Sequence, residues 1–393
     1  MKKLPIVLTI LFAIMIALVS CKESPVAPPT PEPEIDPKTL PLTLEFLAEG
    51  ELSIEMSTKY ENSDIYYSKN DGEKILLEDG IPVSVSEGDV ICLYRDWTVS
   101  RSEGTIPFFT IECSSDCYVY GNVMSLIDSE QFATESEVFQ YSFANLFEYN
   151  ENILNHPSID LVLPATKLAD SCYANMFNGC SGLTKAPVLP ATTLAESCYS
   201  AMFCDCTSLE TAPNLPATEL AESCYEYMFT GCKKLTKAPD LPAEELVDSC
   251  YAGMFCDCTS LETAPVLPAT ELAESCYEDM FIGCEKLTKA PDLPAEELAD
   301  YCYASMFCDC TSLETAPDLP AEELVDYCYA SMFYGCSNLN SLTCLATDIN
   351  AYCCISYWLE DVPSTGTFYR SSTVDDAFWT TNIPTGWTIV EAQ

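Results

Sequence analysis

The chain has 393 residues, 48% of them hydrophobic and 11% aromatic, enough apolar material to bury a core and too much for a wholly disordered protein. Its 61 acids face only 17 Lys and Arg, a net charge of −44. Recognition of nucleic acid needs clustered cations, so this charge excludes nucleic acid as a partner and favours cationic ones.

Lys2 and Lys3 precede an apolar run from Leu4 to Val19. The run is shorter than the ~20 residues of a membrane span, and it predicts a signal segment over 1–20. It ends Leu18-Val19-Ser20-Cys21. This resembles the lipobox of bacterial lipoproteins and makes Cys21 the expected lipid-attachment residue and membrane anchor; an ordinary signal peptide with a chance cysteine is the alternative. Lys22-Glu23 is similar to a surface-export signal of some bacterial lipoproteins. Residues 21–41 are rich in Pro and hold no aromatic residue, so they predict an extended spacer that lifts a domain away from the membrane.

Over 42–122, "LTLEFL", "LSIEMS", "DIYYSKNDGEKILL" and "GDVICLY" cluster β-formers between turn signals, with Asp71-Gly72 as a hairpin turn. They predict a small antiparallel β domain. Residues 123–160 then form an N-terminal cap and a degenerate repeat around Leu146 and Phe147, offset by an insertion that contains His156.

Repeats follow over 161–360. Leu-Pro recurs every 26 residues at Leu163, Leu189, Leu215, Leu241, Leu267, Leu293 and Leu319, and Met-Phe keeps phase from Met176 to Met332. A fixed period in this range predicts an α/β solenoid of leucine-rich repeats, each a short parallel strand plus a helix. In 190–216, Leu194, Cys198 and Met202 form one row at i, i+4, i+8, and Ala195, Tyr199 and Phe203 form the next. The rows predict an amphipathic helix that starts near Thr192-Thr193 and stops in a left-handed residue at Asp205, where alternate units carry Gly179, Gly231, Gly283 or Gly335. A strand is expected over Leu209–Ala212, limited by Pro213. Helices are wider than strands, so the stack should curve with the helices outside. Residues 361–393 leave the pattern and should cap the last repeat.

The segment "LPATTLAESCYSAMFCDCTSLETAP" resembles the leucine-rich repeats of BspA-like bacterial surface proteins. "VYGNVMSLI" at Val119–Ile127, and "STGTFYR" with "IPTGWTIVEA" near the end, are similar to flanking segments of that group. The resemblance implies a non-enzymatic cell-surface protein that adheres to host matrix proteins or other cells; together with the lipobox at Cys21 it makes a lipid-anchored protein of the outer membrane the expectation. Capture of glycans or peptides for nutrient uptake is the alternative.

"MFCDCTSLETAP" occurs three times, 52 residues apart, at Met202, Met254 and Met306. Its Cys-Asp-Cys is a poor zinc template, because tetrahedral sites need four convergent ligands and the single His156 is distant. The cysteines in register with Cys198 and Cys206 read as buried structural thiols. Disulfides stay open in an exported chain, with Cys113 and Cys117 the nearest pair. No stretch has calcium-loop spacing, and no cofactor or catalytic constellation is expected. The strand face is where a solenoid binds. There Lys185, Glu210, Lys237, Glu262, Lys289 and Glu314 alternate from unit to unit and form the candidate face for an extracellular protein or glycan; a self-neutralising surface that keeps the array soluble and in register is the alternative.

Overall fold

In the computed structural model, residues 35–56, 64–95 and 108–392 are described. The signal segment, Cys21 and most of the spacer lie outside the described residues. Pro37–Gln393 belong to one unit.

Its first part obeys the two-residue period of strands. The elements are β1 (Leu42–Phe46), β2 (Gly50–Met56), β3 (Ile65–Lys69), β4 (Ile75–Leu77), β5 (Val83–Val85), β6 (Val90–Arg95), β7 (Phe109–Cys113) and β8 (Cys117–Asn122). One sheet runs β8-β1-β6-β3-β4 and is antiparallel throughout; a second runs β5-β2-β7. Leu44, Leu93 and Val119 of the first share a core with Leu52, Ile54 and Ile111 of the second. The β3–β4 turn lies one residue earlier than expected. Asn70 and Asp71 take φ of 52° and 58°, and the Gly72 amide donates to the Lys69 carbonyl at 3.0 Å. Asn and Asp tolerate this left-handed pair better than most residues do.

β8 is also where the repeats attach. β9 (Ile153–Asn155) and β10 (Leu161–Val162) pair with it in parallel, so the repeat stack grows from an edge of the antiparallel sheet.

The repeats are not strand-plus-helix units. In the segment expected as a helix, Ser171, Asn175 and Gly179 take φ of 53°, 55° and 76°. The same three positions recur as Ser197, Ala201 and Asp205, and as Ser223, Tyr227 and Gly231. A left-handed residue at every fourth position interrupts the right-handed dihedrals of a helix. The result is a ribbon of consecutive turns. The amides of Cys172, Ala174, Met176, Asn178 and Cys180 donate to carbonyls three residues back. Those between them, on Ser171, Tyr173, Asn175, Phe177 and Gly179, donate to the next coil at Glu196, Cys198, Ser200, Met202 and Cys204, over 2.8–3.0 Å. A helix satisfies its amides internally; this ribbon gives every second one to its neighbour.

A period of four places i and i+4 on one side almost as a period of 3.6 does. The two rows of the sequence are therefore buried in either conformation: Cys198, Tyr199, Met202 and Phe203 are all within 1% of fully buried. In-register stacking turns the rows into ladders. Tyr173 to Tyr329 stack with ring centroids 5.7–6.1 Å apart, and Phe147 to Phe333 stack at 5.5–5.7 Å. With turn ribbons in place of helices, the reason for helix-driven curvature is absent.

The strand side is also shorter than expected. In most coils it is a single parallel bridge, as in Lys185↔Thr211 and Lys237↔Thr263. Pro187, Pro213, Pro239, Pro265 and Pro291 lack the amide that would extend it. Where Thr343 stands at that register, a true strand forms, and the strand beside it, which keeps Pro317, pairs with it through a break in register between Thr315 and Asp318. β11 (Thr315–Leu319), β12 (Ser341–Cys344), β13 (Thr367–Arg370) and β14 (Thr388–Glu391) make a parallel sheet at the C-terminal end. Trp358, Phe368 and Trp379 cluster against it, with Trp358 Nε1 donating to Asn382 O at 2.7 Å and Trp387 Nε1 to Pro363 O at 2.8 Å.

The 52-residue super-repeat has a steric origin. A Cβ on Gly231 would lie 2.2 Å from Asp205 Oδ1, one on Gly283 2.5 Å from Asp257 Oδ1, and one on Gly335 2.1 Å from Asp309 Oδ1. Each Asp projects over the next coil, which must carry Gly there, so the two residues alternate.

Candidate binding face

The Lys–Thr and Glu–Thr pairs occupy the bridge side of the coils. Lys185, Glu210, Lys237, Glu262, Lys289 and Glu314 are all exposed. The backbone fixes their register: Glu210 N donates to Thr184 O and Glu262 N to Thr236 O, each at 2.9 Å, while Lys289 is bridged to Thr315. Each Lys thus faces a Thr of the next coil, with the Glu one residue aside.

Charge pairing differs along the row. Lys185 Nζ lies 3.0 Å from Asp160 Oδ1, and the Asn155 side chain brackets the Lys185 backbone, accepting from its amide at 3.0 Å and donating to its carbonyl at 2.9 Å. Among the described residues, Lys237, Lys289, Glu210, Glu262 and Glu314 enter no ion pair. Glu210, Thr211, Asn214, Lys237 and Asp240 line a shallow open cavity of about 350 Å³. From Glu210 onward the face can therefore offer ammonium donors, carboxylate acceptors and hydroxyls to a partner without first breaking bridges of its own.

The sulfur serves the stack. Every described cysteine is a free thiol. Cys206 Sγ donates to Phe177 O at 3.1 Å, Cys232 to Phe203 O at 3.2 Å, and the pattern runs from Cys180 to Cys336. Each of these thiols ties its coil to the one before. The Cys198 row packs mainly as apolar volume, with longer contacts from Cys224 Sγ to Cys250 O at 4.0 Å and Cys328 Sγ to Cys354 O at 3.8 Å; burial pushes Cys172, Cys224 and Cys250 up to about 12. Cys204 is half-buried, and desolvation followed by the Asp205 charge raises it to about 11. Cys113 and Cys117 are buried at either end of the β7–β8 turn. Among the described residues, no three His, Cys, Asp or Glu side chains are placed to hold a metal ion.

His156 is a turn anchor. Its Nδ1 accepts from the amides of Ser158 and Ile159 at 3.2 and 2.9 Å, and its ring packs on Tyr118 and Tyr120.

The periodicity hides exceptions at both ends of the stack. The first left-handed position is Ser in the coils of Ser171, Ser197, Ser223, Ser249 and Ser275, but Tyr141 holds it in the coil before them, Tyr301 and Tyr327 in the next two, and Cys353 in the last. The substitutions are visible in the aligned repeats, yet only stacking in register brings the rings of Tyr301 and Tyr327 together.

In comparison with known proteins, the BspA type leucine rich repeat region matches residues 170–290 and 273–378, in six copies. No curated protein and no solved structure matches the chain. With the match spanning more than half of its length, the chain belongs to the BspA type leucine rich repeat family, whose repeats are commonly surface-associated scaffolds for protein–protein contact rather than catalytic centres.

Proposed function

We propose that this chain is a lipid-anchored, non-enzymatic adhesion protein of the bacterial cell surface that binds extracellular proteins through the bridge face of its coils. The observation that carries the reading is the row of Lys237, Lys289, Glu210, Glu262 and Glu314, without ion pairs among the described residues and held in register by backbone bonds. One exposed pair contributes only ~0–1 kcal/mol. Affinity must therefore come from several coils at once, as a repeated face supplies. Capture of a glycan or short peptide is the second reading, favoured by the shallow cavity between Glu210 and Lys237.

The test is binding of the mature chain to immobilised matrix proteins and to polysaccharides, with Lys237→Glu and Lys289→Glu introduced together. Protein binding should fall at least tenfold. Unchanged protein binding, or binding to polysaccharide alone, overturns the adhesion reading. For the anchor, Cys21→Ala should move the protein out of the membrane fraction; a variant that still partitions with membranes contradicts it.

A further inference from the structure

We propose that the last coils carry a second docking surface, a tyrosine row that takes an arginine-bearing peptide segment of another protein. Tyr301 and Tyr327 stack with centroids 4.5 Å apart and planes at 10°, and Tyr352 stands edge-on to Tyr327 at 5.3 Å with 64% of its surface exposed. Packing does not require these rings. The five coils from Ser171 to Ser275 place Ser at the register of Tyr301 and Tyr327, with Tyr141 there in the coil before them, and Asp326 holds the register of Tyr352 one coil earlier.

The neighbouring charges say what would cover the row. There is no Lys or Arg between Lys289 and Arg370. Asp300 and Asp326 directly precede the two tyrosines, and each is held by one oxygen: Asp300 Oδ1 accepts from the Asp326 amide at 3.1 Å, and Asp326 Oδ1 from the Tyr352 amide at 2.7 Å. Among the described residues, neither carboxylate enters an ion pair. Fixed carboxylates beside aromatic rings suit a guanidinium, which stacks on rings and bonds carboxylates in the same plane; an ammonium does only part of this.

This surface is separate from the bridge face, so each can fail alone. The experiment titrates the full mature chain with a peptide of alternating Arg and Gly, the matching Lys peptide and a neutral glucan oligomer. The readouts are calorimetry and tyrosine fluorescence. Tyr301→Ser with Tyr327→Ser restores the residue of the earlier coils, and Tyr352→Asp is a second variant of the same kind. The Arg peptide should bind several-fold tighter than the Lys peptide, and either tyrosine variant should lose five- to tenfold while its melting temperature is kept. Lys237→Glu with Lys289→Glu should not weaken this binding. Equal affinity for Arg and Lys peptides, full binding by the tyrosine variants, or preference for the glucan overturns the proposal.

Discussion

In β6 every second residue is buried, at Ile91, Leu93 and Arg95; in the coil after Leu189 every fourth is, at Leu194, Cys198, Met202 and Cys206. Both regions make buried rows, but only the first row has one structural solution. A period of two belongs to strands alone. A period near four is shared by the helix and by a ribbon of turns, and local spacing cannot separate them. The decision lies between coils: in the ribbon, identical neighbours accept every second amide. The β domain is thus stabilised by contacts between unlike strands, while the stack is stabilised by repetition. A defect in one coil removes support from the two beside it.

Substitutions inside the ladders should show the largest contrast with the β domain. Phe255→Ala removes a fully buried ring between Phe229 and Phe281 and should cost about 3–5 kcal/mol in urea unfolding. Ile75→Ala in the β domain, half-exposed at 52%, should stay within about 0.5 kcal/mol.

The Asp–Gly alternation should come next. Gly231→Ala drives a methyl into Asp205 and should cost about 1–3 kcal/mol as overpacking does. Adding Asp205→Ala should restore most of the lost stability. No rescue in the double variant would mean that backbone strain at φ 72°, not the contact, sets the cost.

The two thiol rows should then separate. Cys198→Ser leaves a hydroxyl in apolar surroundings, at about 1–3 kcal/mol. Cys206→Ser keeps a donor near Phe177 O, now 3.1 Å from Sγ, and should cost less than half as much. Equal losses in thermal unfolding would remove the thiol-to-carbonyl tie from the account.

Alkaline pH should give the smallest effect per residue. An ordinary thiol loses its proton near 9.0, whereas burial holds Cys172, Cys224 and Cys250 to about 12. Between those values the unfolded chain binds fewer protons, so stability should fall as pH rises from about 9 towards 12 and be flat below. Melting temperatures from pH 7 to 11 check this. Alkylation of the native protein at pH 8 should be slow even at Cys204.

The comparison also shows what the sequence makes legible. Phase, repeat length, the buried rows and the left-handed state at Asp205 and Gly231 all follow from residue spacing and type, because they are one-coil properties. The β-domain strands follow from alternation. The ribbon does not: Ser171 and Asn175 carry no glycine signal for their positive φ, and their cost is offset by bonds to a coil 26 residues away. The charged face is readable as alternating Lys and Glu. That Lys185 is bound to Asp160 while Lys237 is not depends on the His156 insertion folding back, which no periodic pattern reports.

Circular dichroism of the mature chain, joined to backbone chemical shifts, tests the central claim most directly. A ribbon of turns gives no paired helical minima, and carbon shifts of the left-handed class at Ser197, Ala201 and Asp205 and their equivalents in every coil. Helical minima with continuous right-handed shifts from Thr193 to Cys204 would contradict it.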